Sequence, residues 1–122
     1  MAESGSKTLI FLDDEKGMRN IISFSLKRKG HNCIAFEKGQ DCIDYLKEHS
    51  DEVDILISDY MMPGMDGLEV ARIIREELGL KDLKIYMTTN KMLFDKDKEK
   101  IQEQNIELLM KYHLMNEIEK IL

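Results

Sequence analysis

Hydrophobic residues along the chain follow two alternating spacings. Leu9-Ile10-Phe11-Leu12 is a continuous apolar run, and Ile55-Leu56-Ile57, with Val53 just ahead, is another. Runs without polar alternation suit strands buried on both faces, as in a parallel sheet covered by helices. Cys33 to Phe36, Ile85 to Met87 and Ile106 to Met110 are weaker stretches of the same kind. Between these runs the period lengthens. Met18, Ile21, Ile22, Ser25 and Leu26 stand at i, i+3, i+4, i+7 and i+8, which predicts one helix face against a core. Leu68, Ala71, Ile74 and Leu78 repeat the pattern, as do Leu114, Met115, Ile118, Ile121 and Leu122, while Cys42, Ile43 and Leu46 form a shorter version. From Asp95 to Asn105 only Ile101 is apolar, which predicts a loosely held fourth helix anchored mainly by Met92, Leu93 and Phe94.

Strands and helices in strict alternation predict an α/β fold with a layered, doubly wound parallel sheet of five strands and five helices. Right-handed crossovers restrict the strand order to a few arrangements. In such folds the working crevice lies beyond the carboxyl ends of the strands. The polar residues that end the apolar runs therefore become the candidates for chemistry. They are Asp13-Asp14 after the first strand, Asp59 after the third, Thr88-Thr89 after the fourth and Lys111 after the fifth.

A parallel sheet would bring these groups to one rim. Three carboxylates crowded together disfavour one another's ionisation. A hard divalent cation and the Lys111 ammonium would relieve that cost, and Mg²⁺ suits carboxylates combined with phosphate oxygens and water. Taken alone, Asp13 or Asp14 could equally cap the helix that begins near Lys16. Capping does not account for Asp59 and Lys111.

Composition narrows the classes. A formal charge of −6 argues against a dedicated nucleic-acid surface, which would carry a basic excess. No window approaches the ~18 to 20 apolar residues of a membrane helix, and the N-terminus does not read as a signal peptide, so a cytoplasmic protein without membrane insertion is expected. Cys33 and Cys42 read as buried, reduced thiols, and His31, His49 and His113 lack metal-ligand spacing. The chain is expected to be a single domain over residues 1–122, with 1–6 a flexible N-terminus.

Asp13-Asp14, Asp59 and the stretch Met62-Pro63-Gly64-Met65-Asp66-Gly67 together resemble the response-regulator receiver family. The resemblance runs from Lys7 to Leu122 and is most specific from Asp59 to Gly67. The spacings agree: Thr89 lies 30 residues after Asp59, and Lys111 lies 22 after Thr89. It implies a flavodoxin-like sheet in the order 2-1-3-4-5 and a phosphorelay function. Asp59 would be the phosphoacceptor, attacking a phosphohistidine or small acyl phosphate. Asp14, Asp59 and the main-chain carbonyl of Met61 would hold Mg²⁺, with Asp13 bound directly or through water. Lys111 would pair with the phosphoryl oxygens, and Thr89 would report the modification by donating its hydroxyl. Thr88 is the rival for that role, and strand alternation favours Thr89. The partners implied are a sensor histidine kinase or phosphotransfer protein and a downstream protein target. The target would meet the face formed by the fourth helix, fifth strand and fifth helix. Such a protein is a switch, not an enzyme beyond its own phosphorylation and dephosphorylation.

The sequence departs from the family in three places. Tyr112 replaces the usual cis proline after the lysine. A cis bond there costs about 2.5–4 kcal/mol, so a trans peptide is expected. Leu108 replaces the switch aromatic, and Tyr112 is expected to be partly buried in a packing role. Asn90 replaces a small residue, and with Met61 it argues for slow autodephosphorylation. The alternative is an unphosphorylated pseudo-receiver that binds a partner constitutively. A metabolic enzyme lacks support, because residue 61 is methionine where an Asp-x-Asp nucleophile motif needs aspartate, and no glycine-rich dinucleotide loop or P-loop is present.

Overall fold

The structure, a computed structural model, describes residues 5–89 and 95–122. Asn90, Met92, Leu93 and Phe94 lie outside the described residues, and so does most of the N-terminal segment 1–6. Five strands, β1 (Thr8–Leu12), β2 (Asn32–Phe36), β3 (Ile55–Asp59), β4 (Lys84–Thr89) and β5 (Ile106–Met110), form one sheet in the order β2-β1-β3-β4-β5. All four pairings are parallel. The helices are α1 (Lys16–Arg28), α2 (Gly39–His49), α3 (Gly67–Arg72), α4 (Asp95–Glu103) and α5 (Leu114–Ile121). A 3₁₀ turn, Ser50–Glu52, follows α2, and a π-helical turn, Ile73–Glu77, continues α3. None of these helices is long and apolar enough to cross a membrane.

The continuous apolar runs are the interior strands β1 and β3, covered on both faces, and β4 beside them is buried on both faces as well. Ile10 and Leu12 of β1 point toward Cys42, Ile43 and Leu46 of α2 and Val70, Ala71 and Ile74 on the other flank of the same layer. Leu9 and Phe11 point the other way, toward Ile22 and Leu26 of α1 and Leu114 and Ile118 of α5. The alternation of side chains along a strand thus feeds two cores, one on each face.

The expected core face of α1 is narrower than its spacing suggests. Ile22 and Leu26 are buried, but Ile21 is 60% exposed. Residues i and i+4 stack along the middle of the stripe, whereas Ile21 sits about 100° around the helix from Ile22 and faces solvent. Phe24, on the outer side, is also exposed and lies beside the Arg28 guanidinium, 5.8 Å from its ring centroid.

The fourth helix has attachments that its own sequence does not reveal. Ile101 is buried in the α2/α3 core. Tyr60, just after β3, donates its hydroxyl to Asp97 Oδ2 at 2.5 Å. The C-terminal end is held by Arg75, which is 4% exposed. Its Nε donates to the Gln104 carbonyl at 2.7 Å and its Nη2 to the Asn105 carbonyl at 3.0 Å. Nη1 reaches the carbonyls of Leu80, Lys81 and Leu83 at 2.8, 3.3 and 2.6 Å. Burial pushes the guanidinium pKa down, and the Asp82 charge opposes that shift. One side chain therefore joins the π turn, the approach to β4 and the turn into β5.

Candidate functional site

The rim is built by where the strands stop. After Leu12 the Asp13 N–H donates to the Phe36 carbonyl at 3.1 Å, which extends the β1/β2 ladder by one bond. Asp13 is 0% exposed. Its Oδ1 accepts the Glu15 N–H at 2.8 Å, and its carbonyl accepts from Arg19 Nη1 at 2.9 Å. Glu15 is the N-cap residue of α1, and its side chain makes no capping hydrogen bond. Asp13 thus closes the turn into α1 but does not cap it, because it lies too early in the chain to reach the first free N–H groups. Its Oδ2 is buried and has no hydrogen-bond partner among the described residues, although the Lys111 ammonium stands 3.4 Å away as an ion pair.

Asp59 ends β3 and is 6% exposed. The loop that follows doubles back tightly. Gly64 takes φ +78°, a left-handed conformation suited to glycine. The Gly67 N–H donates to the Tyr60 carbonyl at 3.1 Å, and the Asp66 side chain caps α3 by accepting the Glu69 N–H at 2.9 Å. A Cβ on Gly67 would collide with the Asp59 carbonyl oxygen, so only glycine permits this approach. The motif that carried the family resemblance is therefore a device for packing α3 against the end of β3.

Single ligand oxygens of Asp13, Asp14 and Asp59 lie within 4.8 Å of one another. Lys111 joins them from β5, its Nζ 3.1 Å from Asp59 Oδ2, 3.4 Å from Asp13 Oδ2 and 3.3 Å from Glu15 Oε1. Burial disfavours the charged lysine. The hydrogen bond to Asp59 and the charges of Asp13 and Asp59, with Glu15 bonded as well, outweigh that and raise its pKa. Asp13 moves upward too, mainly through burial, with the Asp59 charge adding and the Glu15 N–H and Lys111 opposing. A fully buried carboxylate oxygen, ion-paired with Lys111 but not hydrogen-bonded, beside two further carboxylates fits a hard divalent cation, which would supply a further partner.

Both threonines are buried, Thr88 at 0% and Thr89 at 7% exposure, and they sit on opposite sides of β4. The Thr88 hydroxyl has no hydrogen-bond partner among the described residues. Main-chain bonds link both to the site: the Thr88 carbonyl accepts the Tyr60 N–H at 3.0 Å, and the Thr89 carbonyl accepts the Lys111 N–H at 3.2 Å. The Met61 side chain is 60% exposed.

The Lys111–Tyr112 peptide is trans. Tyr112 is 75% exposed, which corrects the expectation of partial burial. With Lys111 turned into the carboxylates, the next side chain points outward, and its ring lies 4.3 Å from that of His113, a residue in the left-handed region at φ +61°. Leu108 is 45% exposed. Glu15, Arg75 and the Tyr60–Asp97 pair escaped sequence reasoning. For Glu15 alone a signal was at hand, its place next to Asp13-Asp14.

The family model for the response regulator receiver domain matches residues 9–122. This chain belongs to the response-regulator receiver family. A CheY-like response regulator receiver domain protein from Methanospirillum hungatei JF-1 is 30% identical, with 93% of this chain and 89% of that one covered at a TM-score of 0.77. The chemotaxis protein CheY4 of Vibrio cholerae shares the fold at a TM-score of 0.80 and 21% identity, covering 96% of this chain and 99% of that one. The receiver domain of the histidine kinase CKI1 from Arabidopsis thaliana, complexed with Mg²⁺ and BeF₃⁻, shares it at 0.76 and 20% identity, covering 94% and 89%. Receiver domains are the signalling switches of two-component systems, and membership supports a phosphoacceptor role. They bind Mg²⁺ in an acidic pocket, and the cluster of Asp13, Asp14 and Asp59 is compatible with that.

Proposed function

We propose that Asp59 is the phosphoacceptor of this receiver, charged by a histidine kinase or a phosphotransfer protein in the cytoplasm. The observation that carries the reading is the placing of the Asp59 carboxylate at the end of β3, hydrogen-bonded to Lys111 and grouped with Asp13 and Asp14. An Asp59 carboxylate oxygen forms a bond to phosphorus as the bond from phosphorus to the donor nitrogen or acyl oxygen breaks, and the leaving group takes the electron pair. Lys111 exchanges the Asp59 oxygen for a phosphoryl oxygen. The Thr89 hydroxyl donates to a second phosphoryl oxygen and draws the end of β4 toward Asp59. Asp13, Asp14, Asp59 and the Met61 carbonyl would hold Mg²⁺, which neutralises charge on the phosphoryl oxygens when bound. Catalysis by the chain itself is then chiefly positioning.

The modification shifts a two-state population, read by a protein target at the α4-β5-α5 face. Met61 and Asn90 slow loss of the phosphoryl group in this reading. A constitutive pseudo-receiver is favoured by one observation: with Leu108 half exposed and Tyr112 outside, neither offers an inward-turning ring.

Intact mass after incubation with acetyl phosphate and Mg²⁺ tests the assignment. A phosphoryl adduct that disappears with EDTA and in Asp59→Asn is the expected result. No adduct, from acetyl phosphate or from a histidine kinase, leaves the pseudo-receiver.

A further inference from the structure

The phosphoryl-binding role proposed for Lys111, on which this inference rests, requires its ammonium to change partners. In the structure it is shared by three carboxylates, Asp59 at 3.1 Å, Glu15 at 3.3 Å and Asp13 at 3.4 Å. These differ in kind. The Asp13 and Asp59 side chains are 0% and 8% exposed and belong to the group that suits a cation. Glu15 is 61% exposed and lies outside that group. Its main chain is nonetheless fixed to the site, since its N–H is held by Asp13 Oδ1 and its carbonyl accepts the Arg19 N–H at 3.1 Å in the first turn of α1.

Commitment of Asp13 and Asp59 to a divalent cation leaves the Lys111 ammonium beside a like charge, and a lysine stem can swing out to water. Glu15 is then the one carboxylate of the three still available. We infer that Glu15 is a positioning residue for Lys111, a berth that keeps the ammonium at the mouth of the site once the two aspartates turn to the cation. From that berth it reaches the incoming phosphoryl oxygens without returning from solvent. Glu15 thus acts through Lys111 and touches neither phosphorus nor metal.

The test is calorimetric titration of Mg²⁺ into the full chain in four forms: unsubstituted, Glu15→Gln, a neutral substitution at 111, and the double variant. Lys111→Met and Lys111→Gln both serve as the neutral form, so the cycle does not depend on one of them folding. The berth predicts that Glu15→Gln weakens Mg²⁺ about three- to fivefold when Lys111 is present, the scale of a partly exposed ion pair. With residue 111 neutral the factor shrinks, and Glu15→Asp recovers part of the loss. An equal or larger factor in the neutral background overturns the berth, because Glu15 would then act on the cation directly, screened by Lys111. Phosphorylation by acetyl phosphate supplies a second readout: its rate falls in Glu15→Gln, and a faster rate overturns the proposal. If the unsubstituted chain bound no Mg²⁺, the metal reading and the berth would both fall; Mg²⁺ binding with an additive cycle removes the berth alone.

Discussion

Arg75→Met separates the fold's hidden support from its chemistry. The substitution keeps the unbranched stem and removes a guanidinium that bonds to five main-chain carbonyls, those of Leu80, Lys81, Leu83, Gln104 and Asn105. Hydrogen bonds to a charged group contribute about 1.5–3 kcal/mol each, but they are not additive, and the carbonyls near the surface will recover water. The comparison with breaking a buried charged pair suggests a loss of about 3–5 kcal/mol. Against a typical total of about 5–15 kcal/mol, the chain should remain folded in buffer. Urea unfolding followed by circular dichroism measures the loss. With m near 1–3 kcal/mol/M, the midpoint should drop by at least about 1 M. Arg75→Lys should not rescue, since a single ammonium cannot span carbonyls on both sides of the clamp. Amide exchange in α4 and β5 should accelerate more than in α1, which Arg75 does not touch. A loss below about 1 kcal/mol, or full rescue by lysine, would refute the clamp and mean that water replaces the guanidinium freely.

Two other outcomes rest on particular atoms. Gly67→Ala places a Cβ against the Asp59 carbonyl, a backbone atom that cannot yield cheaply, so a loss of about 1–3 kcal/mol in thermal unfolding is expected together with slower phosphorylation of Asp59; a stable variant with unchanged rate would show that α3 moves aside. Burial, then the hydrogen bond and charge of Asp97, push the Tyr60 phenol up to about 12 from 10.0. A pKa raised by folding means stability fully present below pH 10.0 and lost as pH rises toward about 12, so Tyr60→Phe should remove that part of the alkaline loss and one late-titrating tyrosine from the absorbance titration. Matching stability–pH curves for the two chains would count against a part-buried Tyr60–Asp97 bond.

The strands and the rim residues were legible because they rest on local rules. Unbroken apolar runs at Leu9–Leu12 and Ile55–Ile57 mark strands covered on both faces, and a parallel sheet sends the residues after them to one edge. Asp13, Asp14, Asp59 and Lys111 converge for that reason alone, although Lys111 and Asp59 are 52 residues apart. The family motif from Asp59 to Gly67 added the expected chemistry and, in Gly67, its geometric requirement.

What only the tertiary structure decided are meetings between side chains and partners that no periodicity relates. Periodicity reports one helix's own stripe and not how far its neighbours extend, so Ile21 could not be told from Ile22. Tyr60 meets Asp97 across 37 residues, and Arg75 reaches the carbonyls of Gln104 and Asn105 across 29 and 30. A main-chain carbonyl carries no signature in the residue that bears it, and a buried arginine is spelled like an exposed one. Glu15 became part of the site only when β5 delivered Lys111 to it, because the energy of an ion pair depends on distance in space and not along the chain.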